Sequence, residues 1–250
     1  MLVTPQPAAT VLLLRDGKEG LEVLMMERHR DAFFSGALVF PGGRVDPEDH
    51  DLARAHPVPG EDAQATAFRI AAIRESWEEA RILLARRHGE DQIISAATLA
   101  ALGEEPVFAR LLESGNLIPA ADRLVRLAHW VTPETSPQRY DTQFFLALAP
   151  ADQEPVPDGA EAVDLVWFTP EAALAEADAK RRRLIFATRM NLLRLMRTKT
   201  AAEALADAAR RPIHRICPEM YEAPSGPRIR IPEGLGYDIC DLPTAARRHY

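Results

Sequence analysis

Three carboxylates follow Arg74 within a few residues: Glu75, Glu78 and Glu79, at relative positions i, i+3 and i+4. On an α-helix this spacing puts all three on one face, within about one turn of each other. Clustered like charges raise one another's pKa, and a bound cation relieves the repulsion. Carboxylate oxygens at this density are typical ligands of Mg2+, Mn2+ or Ca2+ rather than zinc. The plainer interpretation is a solvated helix face on which Arg74 pairs with Glu78 at i+4.

The element that must position these carboxylates is predicted to be a helix from Ala63 to Ala85. The segment is rich in Ala, Arg, Glu and Leu and contains no Gly or Pro. Asp62 is a suitable N-cap at its start. Apolar residues recur at helical spacing along one side and predict a buried stripe: Ile70, Ile73, Trp77, Ala80 and Leu84. The carboxylates lie off that stripe, so they can face a ligand.

A glycine pair, Gly42 and Gly43, precedes the helix and follows a strand-like run at residues 36–40. Adjacent glycines allow backbone conformations closed to other residues and let the main chain approach a ligand. Together with the helix, the pair resembles the box of the Nudix hydrolases, G-x5-E-x7-R-E-U-x-E-E-x-G-U, in which U is apolar. The matching residues are Gly43, Arg74, Glu75, Glu78, Glu79 and Ile82. The box is interrupted, because residues 50–73 stand where the pattern has seven residues.

The interruption makes the chain similar to one branch of the family, the peroxisomal-type coenzyme A diphosphatases and their bacterial relatives. Residues 129–133, 139–145 and 167–171 extend the resemblance, which covers roughly residues 8–200. It implies an α/β Nudix fold, a mixed β-sheet sandwiched between helices (α/β/α), with a helical insert at about residues 86–120. We expect a single domain over residues 1–250, with a C-terminal extension at about residues 200–250.

The resemblance implies a metal-dependent hydrolase, with Mg2+ or Mn2+ as the cofactor, that cleaves a diphosphate bond in a nucleoside diphosphate derivative. In this scheme Glu78 and Glu79 bind the metal, and Glu75 is either a third ligand or the general base. Arg74 orients the glutamates by charge-assisted hydrogen bonds, and the glycine pair lines the floor of the site. The branch favours coenzyme A or an acyl-coenzyme A as the substrate. The open alternatives are hydrolysis of ADP-ribose, NADH or a dinucleotide, and a non-catalytic nucleotide-binding domain.

Three candidates lie outside the box. Arg28 fits the spacing of a signature that the coenzyme A branch carries ahead of the box, so it is a candidate contact for phosphate or adenine; Ala32 stands where that signature has a second arginine. Arg139 is a candidate phosphate contact. Glu161 precedes a predicted strand at a position that is acidic in relatives, so it is a candidate metal ligand or base. The plain alternative for each is an ordinary surface residue.

Three residues depart from the box. Asp49 replaces the first Glu, and a shorter carboxylate can still serve in an outer role. Ser76 replaces an apolar residue at little cost. Arg81 replaces a glycine that normally lets the helix end in a left-handed turn, where a non-glycine residue costs about 1 kcal/mol. The helix can avoid that cost by continuing into residues 82–85.

The rest of the chain is predicted to alternate strands with loops and short helices. Strands are expected at residues 8–14, 21–26, 124–131, 141–149 and 163–168, and loops at residues 50–61, 132–138 and 150–159. A helix is expected to begin at Pro170. A basic run at residues 180–183 is predicted to open another, as a solvated face or a dock for a 3′-phosphate. Residues 212–217 and 228–231 are predicted to form a terminal hairpin.

Composition bounds the class of protein. The chain is 47% hydrophobic and 27% charged, as in an ordinary soluble protein. Its net charge of −7 does not attract nucleic acid or an anionic membrane, so we expect a small-molecule substrate as the partner. The two cysteines do not suggest a zinc site or a disulfide framework. With no signal-peptide pattern, no membrane span and no S-K-L ending, we expect a cytoplasmic protein, either a monomer or a homodimer.

Overall fold

The computed structural model describes residues 3–28, 36–103, 105, 107–160 and 162–244. Two candidate groups fall outside this part of the chain, the residue Glu161 and the side chain of Arg28. None of the helices it contains is both long enough and apolar enough to cross a bilayer.

The strands of the described chain fall into one large sheet and two small ones. Their bounds are β1 (Gln6–Gly17), β2 (Gly20–Arg28), β3 (Ala37–Val39), β4 (Gly42–Arg44), β5 (Ala85–Arg87), β6 (Leu117–Pro119), β7 (Val125–Val131), β8 (Tyr140–Leu148), β9 (Ala162–Phe168), β10 (Arg183–Leu184), β11 (Arg215–Ile216), β12 (Glu219–Ala223), β13 (Gly226–Arg230) and β14 (Asp241–Pro243). The strands predicted at residues 8–14, 21–26, 124–131, 141–149 and 163–168 are confirmed as β1, β2, β7, β8 and β9.

The helices flank these strands. Their bounds are α1 (Pro47–Ala55), α2 (Ala63–Ala80), α3 (Ala96–Leu102), α4 (Phe108–Gly115), α5 (Pro170–Asp178), α6 (Phe186–Leu195) and α7 (Ala201–Arg210), with a short 3-10 turn at Ala121–Arg123. Asp62 caps α2 as predicted, since its side chain accepts a 2.7 Å hydrogen bond from the Ala65 backbone N–H.

The large sheet is mixed. Its strand order is β10-β3-β2-β1-β8-β7-β11, with β4 paired to β1 and β9 paired to β2. The pairs β1–β8, β3–β10 and β7–β11 are parallel, and the other pairs are antiparallel. Mixed pairing follows from the connections, because a parallel pair needs a long crossover whereas an antiparallel pair needs only a hairpin.

The central strand β1 is buried on both faces. On one face Ala9, Val11 and Leu13 pack with α2, α4 and the segment after α2. On the other face Leu12 and Leu14 pack with α5, α6 and α7. A strand covered on both sides has a continuous apolar run, as residues 11–14 do. This confirms the predicted α/β/α arrangement.

The insert at residues 86–120 is only partly the helical segment that we predicted. It contains α3 and α4, but its two ends pair as the antiparallel strands β5 and β6. This pairing brings residues 85–87 against residues 117–119, so α3 and α4 lie in the chain between the two paired ends of the insert. The sequence hid these strands because each is three residues long.

The interruption of the box is not the continuous loop that we predicted at residues 50–61. Residues 50–55 belong to α1, which packs against α2. The helix begins with Pro47 at its first turn, where the missing N–H of proline costs nothing. The side chain of Asp49 then accepts a 2.8 Å hydrogen bond from the Asp46 N–H. Pro47 and Asp49 mark the start of this helix. They lie just before residues 50–61, whose prolines and glycine led to the loop prediction.

The C-terminal part also pairs differently from the prediction. The predicted hairpin between residues 212–217 and 228–231 does not form, because β11 adds to the edge of the large sheet beside β7. The hairpin instead joins β12 to β13, and β14 extends it into a three-stranded sheet. The basic run at residues 180–183 ends in β10, which begins at Arg183, and α6 begins later, at Phe186.

Helix α2 ends at Ala80, so the predicted continuation into residues 82–85 is wrong. Arg81 adopts the left-handed conformation (φ 57°, ψ 24°), and its N–H donates to the Trp77 carbonyl at 3.0 Å. The hydroxyl of Ser76 donates to the Ile82 carbonyl at 2.8 Å, which satisfies one more group at this end. Beyond it, the buried side chain of Gln153 bonds both the N–H and the carbonyl of Leu83. These contacts hold residues 82–84 off the helix path.

We expect Arg81→Gly to be more stable than Arg81→Ala by about 1 kcal/mol, because only glycine relieves the left-handed strain. Both variants lose the contact between the Arg81 guanidinium and the Trp77 ring, whose centroid is 5.0 Å away. That loss costs about 0.5–1 kcal/mol, so the glycine variant should lie near the wild type and the alanine variant below it. Urea unfolding measures the order. Equal stability of the two variants would show that residue 81 carries no strain.

Candidate active site

Arg74 lies at the centre of the site, and every N–H of its guanidinium donates a hydrogen bond. Nε and Nη2 each donate to a carboxylate oxygen of Asp49 at 3.0 Å. Nη1 donates to Glu75 Oε1 and to Glu78 Oε2, both at 2.8 Å. Nη2 also donates to the Arg44 carbonyl at 2.8 Å. A guanidinium has five N–H donors, so all of them are used. The predicted orienting role of Arg74 therefore has a defined geometry.

Helix α2 brings these groups together by its period. Arg74 and Glu78 are one turn apart, and Glu75 lies beside them on the same side. The opposite side of the helix is fixed in the core by Ile70, Ile73 and other buried residues, so the rotation of the acidic side is set by packing. Rotation of the helix would move these three residues together and would separate Arg74 from Asp49 on α1.

Asp49 supplies the anchor for Arg74 from the neighbouring helix α1. Its side chain is fully buried (0% exposed) and lies 3.0 Å from Arg74 Nη2. Burial alone would lower the pKa of Arg74, but the hydrogen bond that it donates to Asp49 and the charges of Glu75, Asp49 and Glu78 raise it overall. Arg74 thus stays cationic. The outer role expected for Asp49 is a bidentate hold on this arginine.

Glu78 has the opposite balance of forces. Burial raises the pKa of its carboxyl, the charge and hydrogen bond of Arg74 lower it, and the negative charges of Asp49 and Asp46 raise it further. The net direction is upward. The sequence predicted repulsion among the three glutamates, but the charges that raise the pKa of Glu78 are aspartates from α1 and its cap, and burial is the larger cause. An added positive charge would relieve both effects.

The glycine pair forms the short strand β4, which pairs antiparallel with residues 8–10 of β1. The Gly42 N–H donates to Glu79 Oε2 at 2.7 Å. A side chain on Gly42 would meet the backbone of the neighbouring strand, 2.7 Å from the Cα of Thr10. A side chain on Gly43 would meet the Glu75 carboxylate instead, 2.6 Å from its Cδ. The absence of a side chain on Gly42 therefore allows the strands to pair, and its absence on Gly43 leaves space for the Glu75 carboxylate.

Gly43→Ala is expected to lower kcat of a reaction at this site about a hundredfold, because displacement of a reacting group by about 1 Å costs that much. The new methyl group pushes only the flexible end of Glu75, so the melting temperature should change little. Gly17→Ala is the matched control, since its Cβ would lie 2.6 Å from an oxygen of the Glu22 carboxylate, away from the site. Equal losses of kcat in Gly43→Ala and Gly17→Ala would contradict the assignment of Glu75 to the site.

A cavity of about 500 Å3 opens beside these carboxylates. One part of its lining is polar and charged: Gly42, Gly43, Arg44, Asp46, Arg74, Glu75 and Glu78. The other part carries apolar and aromatic groups: Val39, Phe40, Tyr140, Phe144 and Ile185. A volume of this size suits a small organic molecule. The lining suits one that carries a charged group at one end and an apolar group at the other.

The donors at the charged end fit a hard divalent cation. Glu75, Glu78 and Asp46 all line the cavity, and because Gly43 has no side chain the Glu75 carboxylate can lie against the main chain there. Oxygen-only donors of this kind suit Mg2+ or Mn2+. Within the described chain no three acidic, histidine or cysteine side chains already converge on one point. Arg74 Nη1 lies between Glu75 and Glu78, so these carboxylates are held close together by a positive group.

The structure separates the predicted ligands into two groups. Glu75 and Glu78 line the cavity, whereas Glu79 is 3% exposed and contacts the strand of the glycine pair behind the cavity wall. The role of Glu79 as a metal ligand stays a prediction. The plain alternative of a solvated helix face does not hold, since Arg74 is buried and its contacts are not with solvent.

Arg139 does not lie where we predicted. Its guanidinium is buried (7% exposed) and donates to the carbonyls of Thr132 and Val3 at 3.1 and 2.9 Å. It is absent from the described lining of the cavity. Arg139 lies just before β8, and the sequence shows that an arginine is present there but not which groups its side chain contacts. Arg139 ties the start of β8 to the neighbouring loop and the N-terminal segment, so we no longer assign it a phosphate contact.

The basic residues near α6 are also engaged elsewhere. Arg181 pairs with Glu176, Arg182 with Glu27, and Arg189 with Asp178. These acidic partners neutralise the run, which supports the solvated-face interpretation over a dock for a 3′-phosphate.

Sequence reasoning missed Arg44. It lines the cavity next to Gly43, its side chain is exposed, and within the described chain it makes no ion pair. The missed signal was its place directly after the glycine pair. The wall residues Tyr140, Thr142 and Thr188 were also missed, because they come from β8 and α6, far away in the sequence.

Comparison with known proteins gives matches in both sequence and structure. The family model described as the NUDT19 Nudix domain matches residues 51–188, which include the helix of the carboxylates and exclude the glycine pair. Nudix hydrolase 7 of Caenorhabditis elegans is 32% identical over 180 residues, 69% of this chain and 54% of that protein. The acyl-coenzyme A diphosphatase NUDT19 of Homo sapiens is 27% identical over 206 residues, 62% of this chain and 55% of that protein.

Among solved structures, a NUDIX hydrolase from Alicyclobacillus acidocaldarius superposes with a TM-score of 0.72 at 29% identity. The match covers 85% of this chain and 100% of that one. The chain spans about half the length of the curated relatives that it matches.

Proposed function

Because the chain belongs to the Nudix hydrolases, in the family of the NUDT19 Nudix domain, we propose that it hydrolyses the diphosphate of coenzyme A or an acyl-coenzyme A. The observation that carries the proposal is the arrangement around Arg74, which holds Glu75 and Glu78 at the charged end of a cavity whose other end is apolar. Relatives of this chain named acyl-coenzyme A diphosphatases support the choice of substrate.

Nudix hydrolases generally use divalent metal ions, and Mg2+ or Mn2+ is the cofactor that we propose here. Glu75 and Glu78 would hold it, with Glu79 as a third ligand. When bound, such an ion neutralises phosphate charge and makes hydroxide available near neutral pH. Glu75 has a second possible role, as the base that takes a proton from the attacking water.

The chain's own residues prepare the reaction. Asp49 holds Arg74, and Arg74 holds Glu75 and Glu78, so both carboxylates keep their positions before substrate arrives. The water oxygen attacks one phosphorus atom of the diphosphate, and the bond from the bridging oxygen to that phosphorus breaks. The products from coenzyme A are 3′,5′-ADP and 4′-phosphopantetheine. Arg44 extends into the same cavity, where its positive charge suits a phosphate oxygen.

Arg44→Gln is expected to raise KM for coenzyme A about tenfold and to leave kcat within about twofold, since a charged hydrogen bond contributes roughly 1.5–3 kcal/mol. Arg110 on α4 is also exposed, and Arg110→Gln serves as the control for loss of one surface charge. Steady-state kinetics at fixed ionic strength distinguishes loss of a substrate contact in Arg44→Gln from loss of a surface charge in Arg110→Gln. An unchanged KM in Arg44→Gln would remove this residue from the substrate contacts.

The proposed function is tested with a panel of substrates: coenzyme A, acetyl-coenzyme A, ADP-ribose, NADH and a diadenosine polyphosphate. Each is assayed with Mg2+ and with Mn2+, and kcat/KM is compared. The proposal expects the highest values for the two coenzyme A compounds. Preference for ADP-ribose or NADH would keep the chemistry and replace the substrate. Nucleotide binding without any turnover would instead indicate a non-catalytic domain.

A further inference from the structure

A second, smaller cavity of about 90 Å3 shares a wall with the first. Four residues line both cavities: Tyr140, Thr142, Phe144 and Ile185. The first three alternate along β8, so they project from the same face of that strand. The two cavities therefore share these side chains as a common wall. We call the smaller cavity the side pocket.

The lining of the side pocket is mainly apolar. Its remaining residues are Trp130, Val131, Thr132, Pro133, Phe186, Ala187, Pro218 and Ile229. Among the described residues that line it, none is charged. A phosphate placed there would lose its hydration without a counter-charge, which costs far more than apolar contacts return. The side pocket thus suits an uncharged, apolar group.

Two polar side chains of the side pocket, those of Thr132 and Tyr140, are engaged within the protein. The Thr132 hydroxyl accepts a 3.0 Å hydrogen bond from the Tyr140 N–H. The Tyr140 hydroxyl accepts a hydrogen bond from the side-chain amide of Gln138. A purine base would bring several ring nitrogens and an amino group into this space. Each buried polar atom left without a partner costs about 1–3 kcal/mol, so adenine is disfavoured.

One part of the lining of the side pocket comes from the C-terminal part of the chain, beyond the residues that the family model matches. Pro218 lies between β11 and β12, and Ile229 lies on β13 with 1% of its surface exposed. Pairing of β11 with β7 joins this segment to the main sheet, and pairing of β13 with β12 and β14 holds Ile229 in a small sheet of its own. The segment therefore gives the catalytic domain a wall that the family pattern does not encode.

We infer that the side pocket receives the apolar part of the pantetheine arm of coenzyme A, and that the C-terminal segment thereby sets substrate preference. This inference rests on the proposed function. The arm fits because its two methyl groups branch from the second carbon beyond the diphosphate oxygen, so they lie close to any group bound at the charged end. The adenine half then extends in another direction from the diphosphate.

Ala187 is the position at which to test this. It lines the side pocket but not the larger cavity, and it is half-buried at the start of α6. Ala187→Val and Ala187→Leu fill the side pocket in two steps. Ala177→Leu on α5 is the matched control, because Ala177 is also half-buried in a helix and lines neither cavity.

The test measures binding of the two product halves by calorimetry in the presence of Mg2+. Ala187→Leu is expected to weaken binding of 4′-phosphopantetheine about tenfold or more, with a smaller effect for Ala187→Val, as when a hydrophobic pocket loses room for one carbon. Binding of 3′,5′-ADP should stay within twofold in both variants. The valine variant keeps the test valid if the leucine variant fails to fold.

Three results would overturn the inference: unchanged phosphopantetheine binding, weaker binding of 3′,5′-ADP instead, or no phosphopantetheine binding to the wild type at millimolar concentration. Hydrolysis assays separate this from the proposed function. If the wild type does not cleave coenzyme A but binds phosphopantetheine in an Ala187-dependent way, the proposed function fails and the pocket assignment stands. Equal kcat/KM for coenzyme A in wild type and Ala187→Leu overturns the pocket assignment alone.

Discussion

Glu78→Gln is expected to lower kcat for coenzyme A hydrolysis about a thousandfold, because charge stabilisation by a bound metal is worth several kcal/mol. Glutamine keeps the size of the side chain but removes its negative charge, so its oxygen is a weaker ligand for a divalent ion. The fold should survive, since the Glu78 side chain is 37% exposed and Arg74 keeps its contacts with Asp49. Kinetics with Mg2+ and Mn2+ measures the loss, and calorimetric titration with Mn2+ reports binding without turnover.

The control for this variant is Glu113→Gln, at an exposed position on α4. It removes the same charge from a helix surface and should leave both kcat and Mn2+ affinity unchanged. A Glu78→Gln enzyme with the activity and Mn2+ affinity of the wild type would mean that the metal is held elsewhere. Loss of activity with unchanged Mn2+ affinity would assign Glu78 a role after metal binding.

Arg74→Met is expected to destabilise the fold by about 3–5 kcal/mol, because it leaves a buried carboxylate without its partner. That carboxylate is Asp49, which is fully buried. The variant also releases Glu75 and Glu78, so activity should fall together with stability. Arg74→Lys keeps the charge, but a lysine ammonium cannot reproduce the planar fork, so we expect about a hundredfold loss of kcat with a smaller loss of stability.

A double variant separates the two roles of Arg74. Asp49→Asn combined with Arg74→Met removes both buried charges, so part of the stability should return. Activity and Mn2+ affinity should not return, because Glu75 and Glu78 are still unsupported. Urea unfolding and Mn2+ titration of the single and double variants give the comparison. Losses of stability that simply add, or a double variant that regains activity, would contradict the account of Arg74 as a positioning residue.

The parts of the fold that the sequence predicted are those with local signals. The start of α2 follows from Asp62 as an N-cap, and its acidic side follows from helical spacing. The strands at residues 8–14 and 21–26 follow from apolar runs and the glycine turn between them. In each case the signal lies within a few residues along the chain, although the strands themselves pair with distant segments, β8 and β9.

The parts that it missed depend on contacts between distant segments. The end of α2 is set by Gln153, which bonds the backbone of Leu83 from 70 residues away. That contact and the burial of the apolar run after Ala80 offset the strain of the left-handed conformation at Arg81. Nothing in the local sequence reports them, so propensity favoured a longer helix.

The site shows the same division. The spacing of Glu75 and Glu78 from Arg74 was predictable from the period of a helix. The anchoring of Arg74 by Asp49 was not, because it depends on how α1 packs against α2. The burial of Arg139 was also hidden, since it depends on contacts of a loop residue with the carbonyls of Thr132 and Val3, and the latter lies far away in the sequence.

The most direct measurement of the central claim is release of 3′,5′-ADP from coenzyme A by the full chain, followed by chromatography. The claim is that the carboxylates held by Arg74 support metal-dependent cleavage of a diphosphate. The account predicts that 3′,5′-ADP and 4′-phosphopantetheine appear in equal amounts with Mg2+ or Mn2+, and that a chelator stops the reaction. Cleavage that continues at the same rate in excess chelator, or that gives other products, would contradict it.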